Sequence, residues 1–548
     1  MAEVIDRQVR EHGHHQGLST GWLVTGWLAY ILSEGDHRKF GVQEWVQQHT
    51  HTLQGLLGQT LRPTDFTDDR LGLVLRRLSQ SDVWAGIEAE LWTATLGVYA
   101  VAVSSVRLDS TTSYGYHRVH EGGLMQQGQS KDHRPDLPQL KLMAAAAEPT
   151  GHLIACDVHG GQAADDPLYG PLLRRVWQVL GQVALLYVGD TKMSALDTRA
   201  AIIDHHDYYL TVLSAQSEAR QAIDGWIEAA VAGEQTLALV WHAEAVVAAG
   251  YELTRPLQAR VTQTPVTWTE RVLVVRSLAI ARERTAELQR RLVAAETALW
   301  RLTPAPGPGK RAYRDEAALQ AAVDTILKRH AVVGLLSVTW RRDEQRVTHF
   351  VGRGPAGPNR PTRTEVSVRY FITASTRDQD AIAAQEARLG WRIYVTTMPA
   401  ARLSLADAVH HYRGGWCLER GFHLLKDRPL GISPLYVTRD DQLIGLTRLL
   451  TLGWRVLTLL ESQVRAGLAS DTATLDGLYE GQPRRRTDRP TGTRLLKAFA
   501  RAQITLTHIQ SGDTSVWHLT PLSPLLLQVL TYLGLSASLY SRLTENSS

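Results

Sequence analysis

The sequence has few of the residues that build disulfide or metal frameworks. Its 548 residues include only two cysteines, Cys156 and Cys417, which excludes a disulfide scaffold and a cysteine-rich zinc site and is typical of a reducing compartment. His12, His14 and His15 form a His-rich start, which favours a flexible terminus over a metal site. No signal-peptide pattern and no internal repeat is evident. We therefore expect a cytoplasmic protein.

Long uninterrupted apolar runs are also missing. The most apolar stretch, LTRLLTLGWRVLTLL, contains Arg448 and Arg455, whereas a membrane-spanning helix needs about 20 predominantly apolar residues in succession. We therefore expect no membrane span.

The chain has no large excess of charge of either sign. It contains 59 Lys and Arg against 55 Asp and Glu, a net charge of +4, so any affinity for a polyanion would have to come from local basic patches. Apolar residues make up 44% and charged residues 21%, as in folded soluble proteins. The length exceeds what a single core usually supports, and it predicts several domains.

Two apolar runs rich in β-branched residues each lead to an aspartate. Residues 101–106 precede Asp109 in SVRLDSTT, and residues 183–188 precede Asp190 in LLYVGDTKMSA. The pattern predicts buried strands that end at the acids. Adjacent strands lie about 4.8 Å apart, so two acids at neighbouring strand ends could share metal ions roughly 3.5–4 Å apart. The alternative for either aspartate alone is a turn or helix cap.

A third acid, Glu419, lies in HHYRGGWCLERGFHLLKDRPL. Ser404 is the predicted N-cap of a helix that continues to about Lys426. On one helix, Tyr412, Glu419 and Lys426 would form a single stripe, since each is seven residues from the next. Three carboxylates are the oxygen ligands that Mg²⁺ and Mn²⁺ prefer. The alternative is that Tyr412 packs in the core while Glu419 and Lys426 are solvated charges.

This segment resembles the Y-R-E-K signature of DDE-type insertion-sequence transposases of bacteria. Tyr412, Glu419 and Lys426 stand at the signature spacing, whereas Gly415 occupies the position of the arginine. The resemblance implies contacts of Tyr412 and Lys426 with a DNA phosphate. The neighbouring cations Arg413 and Arg420 could substitute for the arginine, although neither is in register.

The resemblance implies a DNA transposase in which Asp109, Asp190 and Glu419 are catalytic and hold two Mg²⁺ ions, with Mn²⁺ as a substitute. Such an enzyme cleaves the transposon ends and transfers strands into target DNA. Its expected partner is double-stranded DNA, both terminal inverted repeats and target, bound by a homodimer near the nucleoid of a bacterial cytoplasm. Two other classes stay open: an RNase H-like nuclease without strand transfer, and a catalytically decayed DNA-binding relic.

Basic and aromatic residues supply further candidates for contact with DNA phosphate or bases. The candidates are Tyr412, Lys426, Arg413, Arg420, Lys192, Trp268, Trp340, Arg76, Arg77, Arg484, Arg485 and Arg486. The alternative for each is an ordinary packed or solvated position, since the chain has 15 Trp and basic helix faces are commonly only hydrated. No helix-turn-helix signature decides between the two.

The predicted fold is α/β: an RNase H-like mixed sheet flanked by helices and interrupted by a large α+β insertion domain, with a helical N-terminal domain and a helical C-terminal tail. From Asp109 onward the patterns predict the order β-β-β-α-β-α-β, closed by the helix of Glu419. In the insertion they predict a long helix over 270–302, a second helix over 313–330, and strands with a turn at Asp343.

The predicted domains follow from these elements. They are a helical DNA-binding and dimerisation domain at 1–98, the first part of the catalytic core at 99–214, the insertion domain at 215–400, the second part of the core at 401–475, and a basic linker with the helical tail at 476–548.

Overall fold

A computed structural model describes residues 1–11, 17–99, 101–214, 220–305, 313–354, 357–358, 360–482, 484–512 and 514–545. The His-rich start at 12–15 lies outside the described residues. Helices and strands alternate along the chain, and most strands join one large mixed sheet. The predicted mixed α/β class is therefore confirmed.

The first hundred residues are helical, as predicted. They form α1 (Ala2–Gln8), α2 (Thr20–Glu34), α3 (Phe40–Leu57), a 3₁₀ helix (Pro63–Phe66), α4 (Asp68–Leu78) and α5 (Ser81–Tyr99). Helix α4 shows the physical reason: Leu71, Leu75 and Leu78 recur at helical spacing and are fully buried. Asp68 and Asp69 lie in its first turn and Arg76 and Arg77 in its last, which suits the helix dipole.

The large sheet has nine strands. Their bounds are β1 (Ser105–Tyr114), β2 (Gln139–Glu148), β3 (His152–Gly160), β4 (Leu186–Val188), β5 (Tyr208–Val212), β6 (Ala238–His242), β7 (Ala245–Val261), β8 (Thr264–Ser277) and, later in the chain, β11 (Trp391–Thr396). Their spatial order is β3-β2-β1-β4-β5-β11-β8-β7-β6. β1 pairs antiparallel with β2 and parallel with β4.

The remaining elements up to residue 470 are helices and a two-stranded ribbon that is separate from the large sheet. The helices are α6 (Tyr169–Leu180), α7 (Leu196–Asp204), α8 (Arg220–Val231), α9 (Leu278–Leu302), α10 (Glu316–Arg329), α11 (Gln379–Ala387), α12 (Leu405–Arg413), α13 (Trp416–Lys426) and α14 (Asp440–Ser470), with 3₁₀ helices at Asp166–Leu168 and Thr191–Ser194. The ribbon pairs β9 (Leu336–Phe350) with β10 (Thr362–Arg377). From β1 to β5 the elements follow the predicted order.

Two predictions for the middle of the chain are wrong. The long helix begins at Leu278 rather than near 270, because 271–276 pairs with β11 as part of β8. The run Val272–Val275 is buried, as is typical of a strand covered on both faces. The predicted turn at Asp343 is absent, since Asp343 pairs with Arg369 within the ribbon. Strands β6, β7, β8 and β11 lie within the predicted insertion, but they belong to the same nine-stranded sheet as the core strands.

Helices cover both faces of the first three strands. Val106 and Leu108 pack with α6 on one face, whereas Leu140 and Leu142 pack with α13, α14 and the N-terminal helices on the other. Helix α14 is long and apolar enough to cross a membrane, but most of its apolar window is buried inside the protein. Its Arg448 donates to the Leu78 carbonyl, so its charge is satisfied internally.

The C-terminal tail is only partly helical. It consists of α15 (Gly492–Ala502), a hairpin of β12 (Leu506–Ser511) and β13 (Thr514–Leu519), α16 (Pro524–Tyr532) and α17 (Ser538–Glu545). The predicted helices of the tail are present, whereas the hairpin between α15 and α16 was not predicted. The alternating segment on either side of Gly512 forms the hairpin, and the positive φ of Gly512 suits its turn.

Candidate active site

Asp109 lies in the middle of β1 rather than at its end. Strand β2 pairs with all of β1, including Asp109 opposite Ala144, whereas β4 pairs only with Ser105–Arg107. The prediction of a strand ending at this acid is wrong because the antiparallel neighbour extends β1 beyond the parallel one. Asp109 therefore stands where β1 loses its partner on the β4 side, which opens space beside the carboxylate.

Asp190 reaches the same level of the sheet from the neighbouring strand. Arg107 pairs with Val188, and each aspartate lies two residues beyond that pair. The Asp190 carboxylate caps the 3₁₀ helix Thr191–Ser194 by accepting from the Lys192 amide at 2.8 Å. Tyr169 on α6 donates its hydroxyl to the same oxygen at 2.7 Å. Asp190 is therefore a helix cap whose carboxylate also accepts a hydrogen bond from α6.

The segment that carries Glu419 contains two helices, not one. Ser404 caps α12 as predicted, with its hydroxyl oxygen accepting from the Asp407 amide at 3.1 Å. The chain then breaks at Gly414 and Gly415, and α13 starts afresh at Trp416. The predicted continuous stripe of Tyr412, Glu419 and Lys426 is therefore wrong. Consecutive glycines favour such a break, since glycine is a poor helix former.

Arg107 holds this break against the sheet. Its guanidinium donates to Glu148 on β2 at 2.5 Å and to the carbonyl oxygens of His411 and Tyr412 at 2.6 and 3.3 Å. Arg107 and Glu148 have side chains only 8% and 7% exposed. Burial opposes ionisation of Glu148, but hydrogen bonding from His411 and the charge of Arg107 outweigh it and lower its pKa. These contacts fix where α13 begins.

The guanidinium group of Arg107 occupies the space beside Gly415. A Cβ atom added at Gly415 would lie 3.3 Å from Arg107 Nη1, which is tighter than an ordinary van der Waals contact. A guanidinium from another strand therefore stands next to the position where the signature has its arginine. No spacing in the sequence relates Arg107 to the signature segment. Sequence reasoning therefore did not identify Arg107.

Asp109, Asp190 and Glu419 all line one cavity of about 260 Å³, here called the acid cavity. The alternation of side chains puts Asp109 on the same face of β1 as Arg107, which is the face that α13 covers. Asp190 enters from the loop after β4, and Glu419 from the first turn of α13. Three segments that are far apart in sequence thus place their carboxylates in one cavity.

The surroundings of the acid cavity favour the protonated forms of Asp109 and Tyr412 by raising the pKa of each. Burial, together with the neighbouring Asp190 carboxylate, raises the pKa of Asp109, against the opposing charge of Lys131. Lys131 Nζ lies 3.4 Å from Asp109 Oδ1. Burial and then the charge of Asp190 raise the pKa of Tyr412 to about 12. Tyr412 is therefore a neutral hydroxyl donor at physiological pH.

The donor chemistry of the acid cavity fits a hard divalent cation, since carboxylate oxygens are what Mg²⁺ prefers. Glu419 is exposed, and no other described side chain hydrogen-bonds to its carboxylate. Within the described ranges, however, no group of three or more His, Cys, Asp or Glu residues is close enough to hold one metal ion. The three acids share a cavity without forming a finished ligand set.

Besides Arg107, two arginines add positive charge to the acid cavity. Arg413, a predicted DNA contact, lines the cavity and donates to Ser277 Oγ at 3.0 Å. Arg392, on β11, also lines it and was not singled out from the sequence. Arg392 is exposed, and its side chain has no hydrogen bond or ion pair to any other described residue. The segment WRIYVTT, which contains Arg392, has the pattern of an ordinary strand. Only the order of the strands in the sheet shows that Arg392 lies at the acid cavity.

Three other predicted DNA contacts lie outside the lining of the acid cavity. Lys426 is paired with Asp132, Arg420 with Glu461, and Lys192 lies 3.4 Å from Asp166. Burial lowers the pKa of Arg420 to about 10, which marks it as a partly buried structural cation. Arg420 therefore does not stand in for the missing arginine of the signature.

The remaining candidates are distributed over separate surfaces. Trp268 donates to the Tyr209 hydroxyl at 2.9 Å and Trp340 to Glu316 at 3.0 Å, so both indole N–H groups are already used. Arg77 is paired with Glu11, whereas Arg76 is exposed. Arg484, Arg485 and Arg486 are exposed, with Arg485 over the Tyr479 ring and Arg486 paired with Asp476. DNA contact by these residues stays a prediction.

Comparison with known proteins finds a weak likeness to solved structures and none to a family model or a curated protein. Among solved structures, the chain is similar to a piggyBac transposase synaptic complex with hairpin DNA, determined by cryo-EM. The TM-score is 0.31 and the identity 7%, over 91% of this chain and 75% of that one. A likeness at this level assigns neither a family nor a role to any residue.

Proposed function

We propose that the protein is a DNA transposase whose acid cavity cleaves and rejoins phosphodiester bonds, with Asp109, Asp190 and Glu419 as its catalytic acids. The observation that carries the proposal is the convergence of these three acids in one cavity. The sequence context of each acid points to it independently, and the three come from β1, the loop after β4, and α13. Unrelated surface acids would have no reason to meet.

The strand arrangement supports an RNase H-like core under this proposal. The five strands β3-β2-β1-β4-β5 combine antiparallel pairs on one side of β1 with parallel pairs on the other. In open sheets of this kind, polar residues beyond the carboxyl ends of parallel strands form the binding crevice. Asp109 and Asp190 occupy that location, because the parallel ladder of β1 and β4 ends two residues before each of them.

Asp109, Asp190 and Glu419 would hold two Mg²⁺ ions, and such ions supply activation of water or of a 3′-hydroxyl and stabilisation of the leaving oxygen. The chain's own residues prepare the substrate. Arg392 and Arg413 present guanidinium groups to the phosphates, and Tyr412 offers a protonated hydroxyl as a donor. Tyr169 and the Lys192 amide both bind Asp190 Oδ1, which keeps the carboxylate oriented while the other oxygen stays free of described partners.

The direct test is Mg²⁺- or Mn²⁺-dependent cleavage and joining of a DNA fragment that carries the native flanking sequence. Wild-type protein should give joined products, and Glu419→Gln should lose them while still binding the DNA. Glu283→Gln on α9 is the matched control, because Glu283 is exposed and does not line the acid cavity. Cleavage that Glu419→Gln leaves intact would remove Glu419 from the site.

Two other outcomes of this assay identify the alternative classes. Cleavage without joined products would indicate an RNase H-like nuclease. Tight binding without any product in either metal would indicate a decayed transposase that retains only DNA binding.

Arg392 gives a second, independent expectation. If its guanidinium contacts one DNA phosphate, Arg392→Ala should weaken binding of any duplex sequence and lower the slope of log affinity against log salt by about 1. Fluorescence anisotropy without divalent metal measures this separately from cleavage. Arg329→Ala on α10 is the control, since Arg329 is also exposed and without a described partner. Equal salt slopes for the two variants would contradict a phosphate contact at Arg392.

A further inference from the structure

The β9–β10 ribbon extends far beyond the part of the protein that supports it. Its base packs against α9 and α10 through Leu336, Trp340 and Ile372. Beyond that base, every residue of Arg341–Phe350 is exposed. We call residues 341–371 the arm. Ten residue pairs at about 3.3 Å each give it a length of about 33 Å.

The arm concentrates positive charge in a short segment of the chain. Its 31 residues contain seven arginines and three acids, a net charge of +4. The whole chain also has a net charge of +4, so all the other residues together are neutral. The arm is therefore a local basic patch of the kind that the overall composition requires for binding of a polyanion.

Several arm arginines are free to bind something else. Arg341, Arg353 and Arg363 are exposed, and their side chains form no hydrogen bond or ion pair with other described residues. The strand register puts Arg341, Arg363 and Arg369 on one face of the ribbon, because Arg363 pairs with His349 and Arg369 with Asp343. A single face thus carries three arginines, of which Arg341 and Arg363 are exposed and Arg369 is half-buried.

We propose that the arm binds duplex DNA outside the acid cavity, through contacts of its arginines with phosphates. The choice of DNA as partner rests on the proposed function. The shape fits, since a two-stranded ribbon enters the major groove of B-DNA, which is about 12 Å wide. A second copy of the chain is a poorer partner, because two arms of charge +4 would repel each other along their whole length.

The test compares two triple variants of the full-length protein that remove the same charge. The arm variant is Arg341→Gln, Arg353→Gln and Arg363→Gln. The control variant is Arg282→Gln, Arg290→Gln and Arg329→Gln, at exposed positions on α9 and α10. Binding of a fluorescent duplex is measured without divalent metal at 50 to 200 mM salt.

The arm variant should bind at least about tenfold more weakly, and its salt slope should fall by about 2 to 3, because each lost phosphate contact removes about 0.9. The control should retain wild-type values. Replacing the same three arm residues by lysine should restore most of the affinity, since lysine keeps the charge.

Three outcomes overturn the proposal. Equal affinities and slopes for the arm and control variants would remove DNA contact from the arm. Failure of the lysine variant to bind better than the glutamine variant would remove charge as the cause. Loss of a DNA-free dimer in the arm variant, seen by sedimentation, would assign the ribbon to self-association. If wild-type protein bound no duplex at all, the proposed function itself would fail, which is a distinct result.

Discussion

Asp190→Asn is expected to reduce DNA cleavage and joining at least about a thousandfold while leaving DNA binding and folding intact. The asparagine side-chain oxygen can still accept from Tyr169 and from the Lys192 amide, so the cap and the orientation survive. What is lost is the negative charge in the acid cavity. Removal of one member of a catalytic group acting as a unit commonly costs a factor of this size or more.

The same reasoning makes the effect non-additive. Asp109→Asn should be as inactive as Asp190→Asn, and the double variant little worse than either, because the remaining acid has no complete site to act in. Asp197→Asn, at an exposed position in the first turn of α7, is the matched control and should keep wild-type activity. Rates of product formation and thermal midpoints measure the two properties. Wild-type rates for Asp190→Asn would contradict the assignment.

Arg107→Met is expected to destabilise the protein by about 3–5 kcal/mol, because it leaves the buried Glu148 carboxylate without its main cation. It also frees the carbonyls at the end of α12, so α13 and Glu419 lose their fixed start. The thermal midpoint and the midpoint of urea unfolding should both fall. Arg174→Met, at an exposed position on α6, should change neither.

A second substitution separates the buried charge from the positioning role. The double variant Arg107→Met with Glu148→Gln should recover much of the stability, since no buried carboxylate is left unpaired. Its catalytic activity should stay low, because methionine cannot donate to the His411 and Tyr412 carbonyls. Recovery of full activity along with stability would show that Arg107 only balances charge.

Asp190 was within reach of sequence reasoning because local signals specify it. An apolar run followed by Gly-Asp-Thr indicates a short strand that ends in a capped turn, and the structure has both. Asp109 was harder, because the end of its parallel pairing depends on which strand lies beside it. No pattern within SVRLDSTT records that β2 continues where β4 stops.

The helix break illustrates a conflict between two signals. The seven-residue spacing of Tyr412, Glu419 and Lys426 favoured one helix, whereas Gly414 and Gly415 favoured a break. The glycines prevailed, and Arg107 occupies the adjoining space. Arg107 donates to a carbonyl about 300 residues away, Tyr169 donates to Asp190 from α6, and Arg392 lines the acid cavity from β11. Only the tertiary fold could reveal these three residues.

The shared core of the N-terminal helices, α13 and α14 bears on how such a protein can diversify. Gly445 of α14 lies so close to α4 that a Cβ atom there would be 2.0 Å from the Leu75 carbonyl oxygen, and Arg455 of α14 is paired with Glu88 of α5. A different N-terminal region could not simply be grafted onto this chain. It would have to arrive with a matching α14 surface, so the N-terminal helices and the core that carries the acid cavity are expected to evolve together rather than as exchangeable parts.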